Sequence, residues 1–157
     1  ANPVDRMDYP GLGLEDVGHR VLDYSQLVSH KPHAEVRQPT RLKTLHLTGN
    51  MHRYMWSFDG EKFSAVTEPI RFAYNERVRV KLVNDTMMAH PIHLHGHFFE
   101  LVNGHTGSYP RKHTVNVLPG SSLAIEFDAD NPGEWMFHCH NAYHFEAGMT
   151  ANLMYIR

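Results

Sequence analysis

The sequence predicts an all-β fold, a Greek-key β-sandwich or barrel, that follows an irregular N-terminal arm. Large apolar residues occupy every second position over 77–82 and again over 123–128, which is the period of a strand with one buried face. Turn residues such as Asn84-Asp85 and Pro119-Gly120 separate these segments from their neighbours. Many short strands between turn signals are typical of antiparallel sandwiches and barrels.

Residues 1–40 are expected to form a linker or arm that leads into the domain. This stretch is polar, and four prolines and several glycines interrupt it. A short edge strand is expected within it at Arg20–Tyr24, because sheet edges tolerate such a sequence best. Residues 41–157 then form the predicted domain.

The predicted strands occupy most of the domain, and one helical turn is expected at Asn141–Ala147. The strands are expected at Leu42–Leu47, Tyr54–Phe58, 77–82, Phe98–Val102, His113–Leu118, 123–128, Glu134–Cys139 and Ala151–Ile156. These strands suffice for two packed sheets.

Length and composition exclude several classes of protein. The 157 residues are 41% hydrophobic, enough for one domain with a core, and the net charge of −2 predicts neither a nucleic-acid nor a membrane partner. No apolar run approaches the roughly 20 residues of a membrane helix. The first residues lack an apolar signal core, so any export signal is expected to be absent or already removed. The single cysteine excludes an internal disulfide framework.

Histidine is unusually frequent, with 14 residues in the chain. Seven are scattered, and a scattered histidine is normally a surface or hydrogen-bonded residue. The other seven fall in two short clusters, and the only cysteine lies within the second. The first cluster is His90, His93, His95 and His97, and the second is His138, His140 and His144 around Cys139. Two such clusters predict metal binding.

The strand period assigns the clustered residues to two faces. If the segment ending at His140 is a strand, Cys139 points inward with Trp135 and Phe137, while His138 and His140 point outward. His93 and His95 form a second outward pair. The sequence therefore predicts two metal centres that are joined through the backbone beside Cys139.

The inward set comprises His90, Cys139, His144 and Met149. Two imidazoles, one thiolate and a weak thioether are the ligands of a blue-copper electron-transfer site. Structural zinc is disfavoured because it usually takes paired cysteines at short spacing. The outward set comprises His93, His95, His138 and His140, and four imidazoles suit either copper or zinc.

These motifs resemble the paired C-terminal signatures of the multicopper oxidases. HPIHLHG is followed some forty residues later by HCHNAYHFEAGM, and the likeness is greatest to the periplasmic copper-resistance branch of the family. The stretches LHLTGNMHRYMWSFDG, VKLVNDTMMAHPIHLHG and GLGLEDVGHRVLDYSQL extend the resemblance over most of the chain. The resemblance implies a cupredoxin fold.

The resemblance also implies a role for each clustered residue. Electrons would be taken up at a type 1 copper and would travel through Cys139 and its flanking histidines to a trinuclear cluster that reduces dioxygen to water. The matching positions are His90, Cys139, His144 and Met149 for type 1 copper, His93 for type 2 copper, and His95, His138 and His140 for the type 3 pair.

One departure from the family pattern limits what this chain can do alone. A trinuclear cluster needs eight histidines, and the HxHG and HxH motifs of the family's N-terminal domain do not occur elsewhere in this sequence. The chain is therefore expected to be the C-terminal domain of a larger periplasmic oxidase. Its expected partners are the remaining cupredoxin domains, dioxygen, and a small phenol-like reductant or Cu(I).

The sequence leaves three alternatives open. The first is a stand-alone blue-copper electron carrier or copper-binding module without oxygen chemistry. The second is a homodimer in which two outward sets face each other and assemble eight imidazoles. A zinc hydrolase is the third, and it is disfavoured because it leaves Cys139 and Met149 without a purpose.

Overall fold

The computed structural model describes residues 2–33 and 36–156, in which eleven strands form two packed sheets. The first sheet has the order β2-β1-β4-β9-β6-β7, and the second has the order β3-β11-β10-β5-β8. The strands are β1 Arg41–Asn50, β2 Met55–Phe58, β3 Ile70–Ala73, β4 Arg77–Asn84, β5 His90–Leu94, β6 Phe99–Leu101, β7 Arg111–Lys112, β8 Thr114–Val117, β9 Ser122–Asp128, β10 Glu134–Cys139 and β11 Thr150–Ile156.

Three short helices complete the described secondary structure. The α-helix α1 spans Ala142–Glu146, within the predicted helical turn, and two 3-10 helices span Tyr24–Gln26 and Phe63–Ala65. None of the helices in the described part of the chain is long and apolar enough to cross a membrane.

The all-β expectation is confirmed, with differences in strand direction and number. Every strand predicted within the domain is present, but β1 and β4 pair in parallel, as do β3 and β11, so the sheets are not wholly antiparallel. The strands β3, β5 and β7 were not predicted. β7 has only two residues, too few for a two-residue period to be recognised, and the histidines of β5 obscure its alternation.

The edge strand expected at Arg20–Tyr24 is wrong. No strand forms there, and the 3-10 helix Tyr24–Gln26 begins at its last residue. The Asp23 carboxylate accepts hydrogen bonds of 2.5 Å from both the Ser25 hydroxyl and the Gln26 amide. Local bonds of this kind stabilise a turn at the expense of a strand.

The arm packs against the sandwich at several points. Val4 forms an isolated bridge with Ser121. The Tyr24 hydroxyl accepts a hydrogen bond of 2.9 Å from the backbone N–H of Asn116. The Asn103 amide donates to the carbonyls of Tyr24 and Leu27 at 2.7 and 2.8 Å. The boundary between arm and domain at residue 40 stays a prediction.

The core lies between the two sheets and takes one face of most strands. Its largest fully buried members are aromatic and branched residues, among them Trp56, Phe72, Phe99, Phe127 and Leu82. Burial of such side chains is the main source of stability in a sandwich of this size.

A buried cluster of charges lies where β4, β6 and β9 meet. Arg77 is 7% exposed and forms ion pairs with Glu100, Glu126 at 3.1 Å and Asp128 at 3.3 Å. Arg79 binds the second oxygen of Glu126. Charges removed from water are tolerated only when they are paired in this way, so each member depends on the others.

Gly96 allows the chain to turn closely under the Trp135 indole after β5. Its φ is +71°, and a Cβ added there would overlap the Trp135 ring. The Asn131 amide donates to the Gly96 carbonyl and the Trp135 indole donates to the Asn131 carbonyl, both at 2.8 Å. Glycine is therefore required for both conformation and space.

We expect Arg77→Leu to lower the free energy of unfolding by about 3 kcal/mol, because it leaves Glu100 and Glu126 without their shared cation. Urea denaturation measures the change. The control is Arg71→Leu, which breaks the exposed ion pair of 2.7 Å with Glu68 and should cost less than about 1 kcal/mol. Equal losses in the two variants would contradict a structural role for the buried cluster.

Gly96→Ala is expected to lower the free energy of unfolding by about 3 kcal/mol, through left-handed strain plus overlap with Trp135. Gly104→Ala provides the matched control, because Gly104 has a φ of +93° and a Cβ added there would meet no other atom within 4 Å. The Gly104→Ala variant should lose only about 1 kcal/mol of unfolding free energy, through left-handed strain. Equal losses of unfolding free energy in the two variants, measured by urea denaturation, would contradict the requirement for space under Trp135.

Candidate metal centres

The side chains of β10 alternate across the second sheet as the sequence predicts. Phe137 and Cys139 are buried in the core, and Trp135 packs against it. His138 is half-buried and His140 is exposed on the opposite face. Consecutive residues of one strand therefore lie on two different faces of the protein.

The inward set converges on the Cys139 thiol. The Sγ atom lies 3.7 Å from Nδ1 of His90 and 3.6 Å from Nδ1 of His144, and the two imidazole rings are 4.7 Å apart. Each of these three residues, like Met149, has no exposed surface. The three ligand atoms are close enough for one ion to bind all of them.

The short helix α1 brings His144 beside the Cys139 thiol. The Asn141 side chain caps the helix by accepting from the Tyr143 N–H at 3.1 Å, which is the usual role of asparagine at this position. His144 then lies one turn beyond Cys139. The N–H of Cys139 donates to the Met149 carbonyl at 3.1 Å, and the N–H of Met149 donates to the His144 carbonyl at 2.9 Å.

Burial fixes the protonation of the inward set. It raises the pKa of the Cys139 thiol to about 11 and, with the charge of His144 second, lowers the pKa of His90 to about 4. The pKa of His144 is also lowered by burial. Near neutral pH the two imidazoles are therefore neutral, and a metal ion must displace the thiol proton.

The outward set forms a second group of imidazoles. Nε2 of His95 lies 3.0 Å from Nε2 of His138, and the ligand atoms of His93, His95 and His138 lie within 4.8 Å of one another. The His140 ring is beside this group, with ring centroids 5.5 Å from His93 and 5.7 Å from His138. The structure thus gathers three of the four residues tightly, with the fourth at their edge.

Backbone carbonyls orient two of these rings. Nδ1 of His93 donates to the His113 carbonyl at 2.5 Å, and Nδ1 of His138 donates to the Cys139 carbonyl at 2.9 Å. Each bond leaves Nε2 free as the ligand atom. Burial, followed by the charges of neighbouring histidines, lowers the pKa of His93. Burial likewise lowers the pKa of His138.

Sequence reasoning missed three residues beside the metal ligands. The Trp56 ring stacks on His144 with centroids 4.4 Å apart, the His113 carbonyl binds His93, and the Thr86 hydroxyl lies 2.8 Å from Nε2 of His90. No spacing rule identifies them, because each contact comes from a different strand or loop.

Comparison with known proteins identifies the family of the chain. The model of the multicopper oxidases matches residues 36–156. Copper resistance protein A of Pseudomonas syringae pv. tomato is 47% identical over 148 residues, which are 94% of this chain and 24% of that protein. Copper resistance protein A of Escherichia coli is 44% identical over 144 residues, 92% of this chain and 24% of that protein.

Solved structures agree on the fold. A multicopper oxidase from Campylobacter jejuni, described as a metallo-oxidase, superposes with a TM-score of 0.71 over 80% of this chain and 32% of its own, at 23% identity. The cupredoxin fold is thus confirmed. The chain spans about a quarter of the length of the curated relatives named above. With a family model that matches three-quarters of its length, the chain belongs to the multicopper oxidase family.

Proposed function

We propose that this chain is the C-terminal domain of a larger multicopper oxidase. Its inward set would hold a type 1 copper, which would supply the uptake of electrons from a reductant. Its outward set would supply half of the ligands of a trinuclear copper cluster, whose chemistry would be the reduction of dioxygen to water. The observation that carries the proposal is the buried thiol of Cys139, which lies 3.6–3.7 Å from two imidazole nitrogens and between two outward histidines in sequence.

The donor set of the inward site fits copper. A thiolate and two neutral imidazoles in a fully buried pocket favour copper over hard cations, and the buried Met149 supplies a thioether in the same loop. When bound there, copper would supply reversible one-electron chemistry. His90 and His144 hold their Nδ1 atoms toward the thiol, and the core excludes water from it.

The connection between the two sites is covalent and short. Cys139 is bonded through the backbone to His138 and His140, and the Cys139 carbonyl also accepts the hydrogen bond from the His138 ring. These three residues are therefore the proposed electron path between the inward and outward sets.

The distances within the outward set indicate which residues would bind the same metal ion. Because the Nε2 atoms of His95 and His138 are only 3.0 Å apart, we assign these two residues to one type 3 copper. His140 then serves the other type 3 copper, and His93, oriented through His113, serves type 2 copper. Four imidazoles are half of the set that the family pattern requires.

The remaining ligands are proposed to come from other cupredoxin domains of the same oxidase. The main support is length, since the chain spans only 24% of its copper-resistance relatives. The same fact makes a stand-alone electron carrier the less favoured function. The proposed reductant is Cu(I) or a phenol-like molecule. A homodimer that pairs two outward sets is the alternative arrangement. Copper per chain, measured together with the oligomeric state, would reveal it.

The proposed location is the periplasm. A thiol needs protection there from oxidation, and ligation by copper together with full burial of Cys139 would provide it. Osmotic-shock fractionation of the source cells, followed by detection of this domain, tests the location. Recovery with the cytoplasmic fraction would contradict it.

We expect the copper-loaded chain to show an intense thiolate-to-copper absorption band, and we expect Cys139→Ser to abolish the band and remove about one copper per chain. His140→Ala is the control from the same strand. It should retain the band, because its exposed ring belongs to the outward set. A band that survives in Cys139→Ser would contradict the inward copper site, whereas extra copper in a dimeric wild type would support shared outward sets.

Copper binding at the inward set should release one proton per ion near pH 7. The thiol, with a pKa of about 11, is protonated in the metal-free chain, and His90, with a pKa of about 4, is neutral. The apparent affinity should therefore rise about tenfold for each pH unit between pH 6 and 8. Titration against a competing chelator, followed through the thiolate band, measures the slope. A flat profile would contradict a buried protonated thiol.

A further inference from the structure

The second ring nitrogen of His90 is held by a partly buried hydrogen-bond network outside the two histidine clusters. We propose that Thr86 is a positioning residue for His90, and that Asn84 holds Thr86 in place. The inference rests on the proposed function, because it concerns how the chain prepares one ligand of the inward copper site.

The Thr86 hydroxyl lies 2.8 Å from Nε2 of His90 and 2.8 Å from Oδ1 of Asn84. It is also 3.1 Å from the Met88 carbonyl. Ligation of a metal ion through Nδ1 of His90 requires the ring proton to be on Nε2, which then donates to the Thr86 hydroxyl oxygen. In that arrangement the hydroxyl proton points to the carbonyl oxygen of Asn84 or Met88, because both can only accept.

The orientation of Asn84 is itself determined by its surroundings. Its amide nitrogen donates to the carbonyls of Met88, Val117 and Leu118 at 2.7, 3.0 and 3.1 Å. Three acceptors around one end of the amide exclude the flipped arrangement. Asn84 is 1% exposed, so its Oδ1 is fixed toward the N–H and the hydroxyl of Thr86.

The consequence for His90 is a defined tautomer. With its proton on Nε2, the ring must present the lone pair of Nδ1, and this is the atom 3.7 Å from the Cys139 thiol. Hydrogen bonds to the far nitrogen of a metal-binding histidine fix ring orientation and strengthen metal binding. Thr86 therefore selects the binding-competent form of His90 before copper arrives.

His144 shows that the network is specific to His90. Nε2 of His144 is buried without a hydrogen-bond partner among the described residues, and the stacked Trp56 ring supports it instead. The two imidazoles of the inward set are thus held by different means, one by a directed hydrogen bond and the other by ring packing. Removal of the Thr86 hydroxyl should affect only the first.

The test compares three variants of the 157-residue chain loaded with Cu(II). Thr86→Val removes the hydroxyl and should weaken Cu(II) binding at the thiolate band by about 10- to 100-fold, with a displaced band and altered copper hyperfine coupling. Thr86→Ser keeps the hydroxyl and should restore both. Thr48→Val is the control, because Thr48 is half-buried and its hydroxyl bonds to Ser57 and Gly60, away from the inward set.

A second measurement does not depend on how the variants fold. In the metal-free wild-type chain, nitrogen–proton correlation NMR should place the ring proton of His90 on Nε2. A proton on Nδ1, or a Thr86→Val variant that binds Cu(II) with wild-type affinity and spectrum, would overturn the positioning role. A wild-type chain that gives no thiolate band would instead contradict the proposed function.

Discussion

The two-residue period of β10 is the constraint on which both proposed metal centres depend. Adjacent side chains of a strand must leave opposite faces of the sheet, so Cys139 enters the core while His138 and His140 leave it. No helix could separate neighbouring residues in this way, because its side chains diverge by about 100° per residue. A sheet therefore joins two chemically distinct sites through a single peptide segment, and β5 repeats the pattern with His90 inside and His93 outside.

The interior of the sandwich determines the chemistry of the inward set as much as its ligands do. Full burial keeps the imidazoles neutral and the thiol protonated in the metal-free chain, so proton loss and metal binding are linked. Burial also leaves Nε2 of His144 without a hydrogen-bond partner among the described residues. Asn84, by contrast, bonds to three carbonyls and to Thr86, and the loop that carries these residues is thereby held beside His90.

Most of the fold and the inner ligands could be predicted because they depend on local patterns. The alternation in β4, β9 and β10 is visible in the sequence, and the helical turn that contains α1 was predicted as well. The direction of β1 against β4 could not be predicted, because pairing is decided by contacts between distant segments. The Asp23 turn was missed for a different reason, since side-chain hydrogen bonds outweighed the weak strand pattern at Arg20–Tyr24. The contacts of Thr86 and Trp56 with the ligands depend on tertiary packing alone.

The contrast in exposure between the two sets agrees with the proposal that the inward site is complete and the outward site is not. His90 and His144 have no contact with solvent, and all the groups that hold them belong to this chain. His95 and His140 are exposed, and the Nε2 atoms of His95 and His138 lie 3.0 Å apart on an open face that leaves room for further ligands. This chain alone therefore supplies the ligands of the proposed inward site, whereas the proposed outward site needs ligands from another domain.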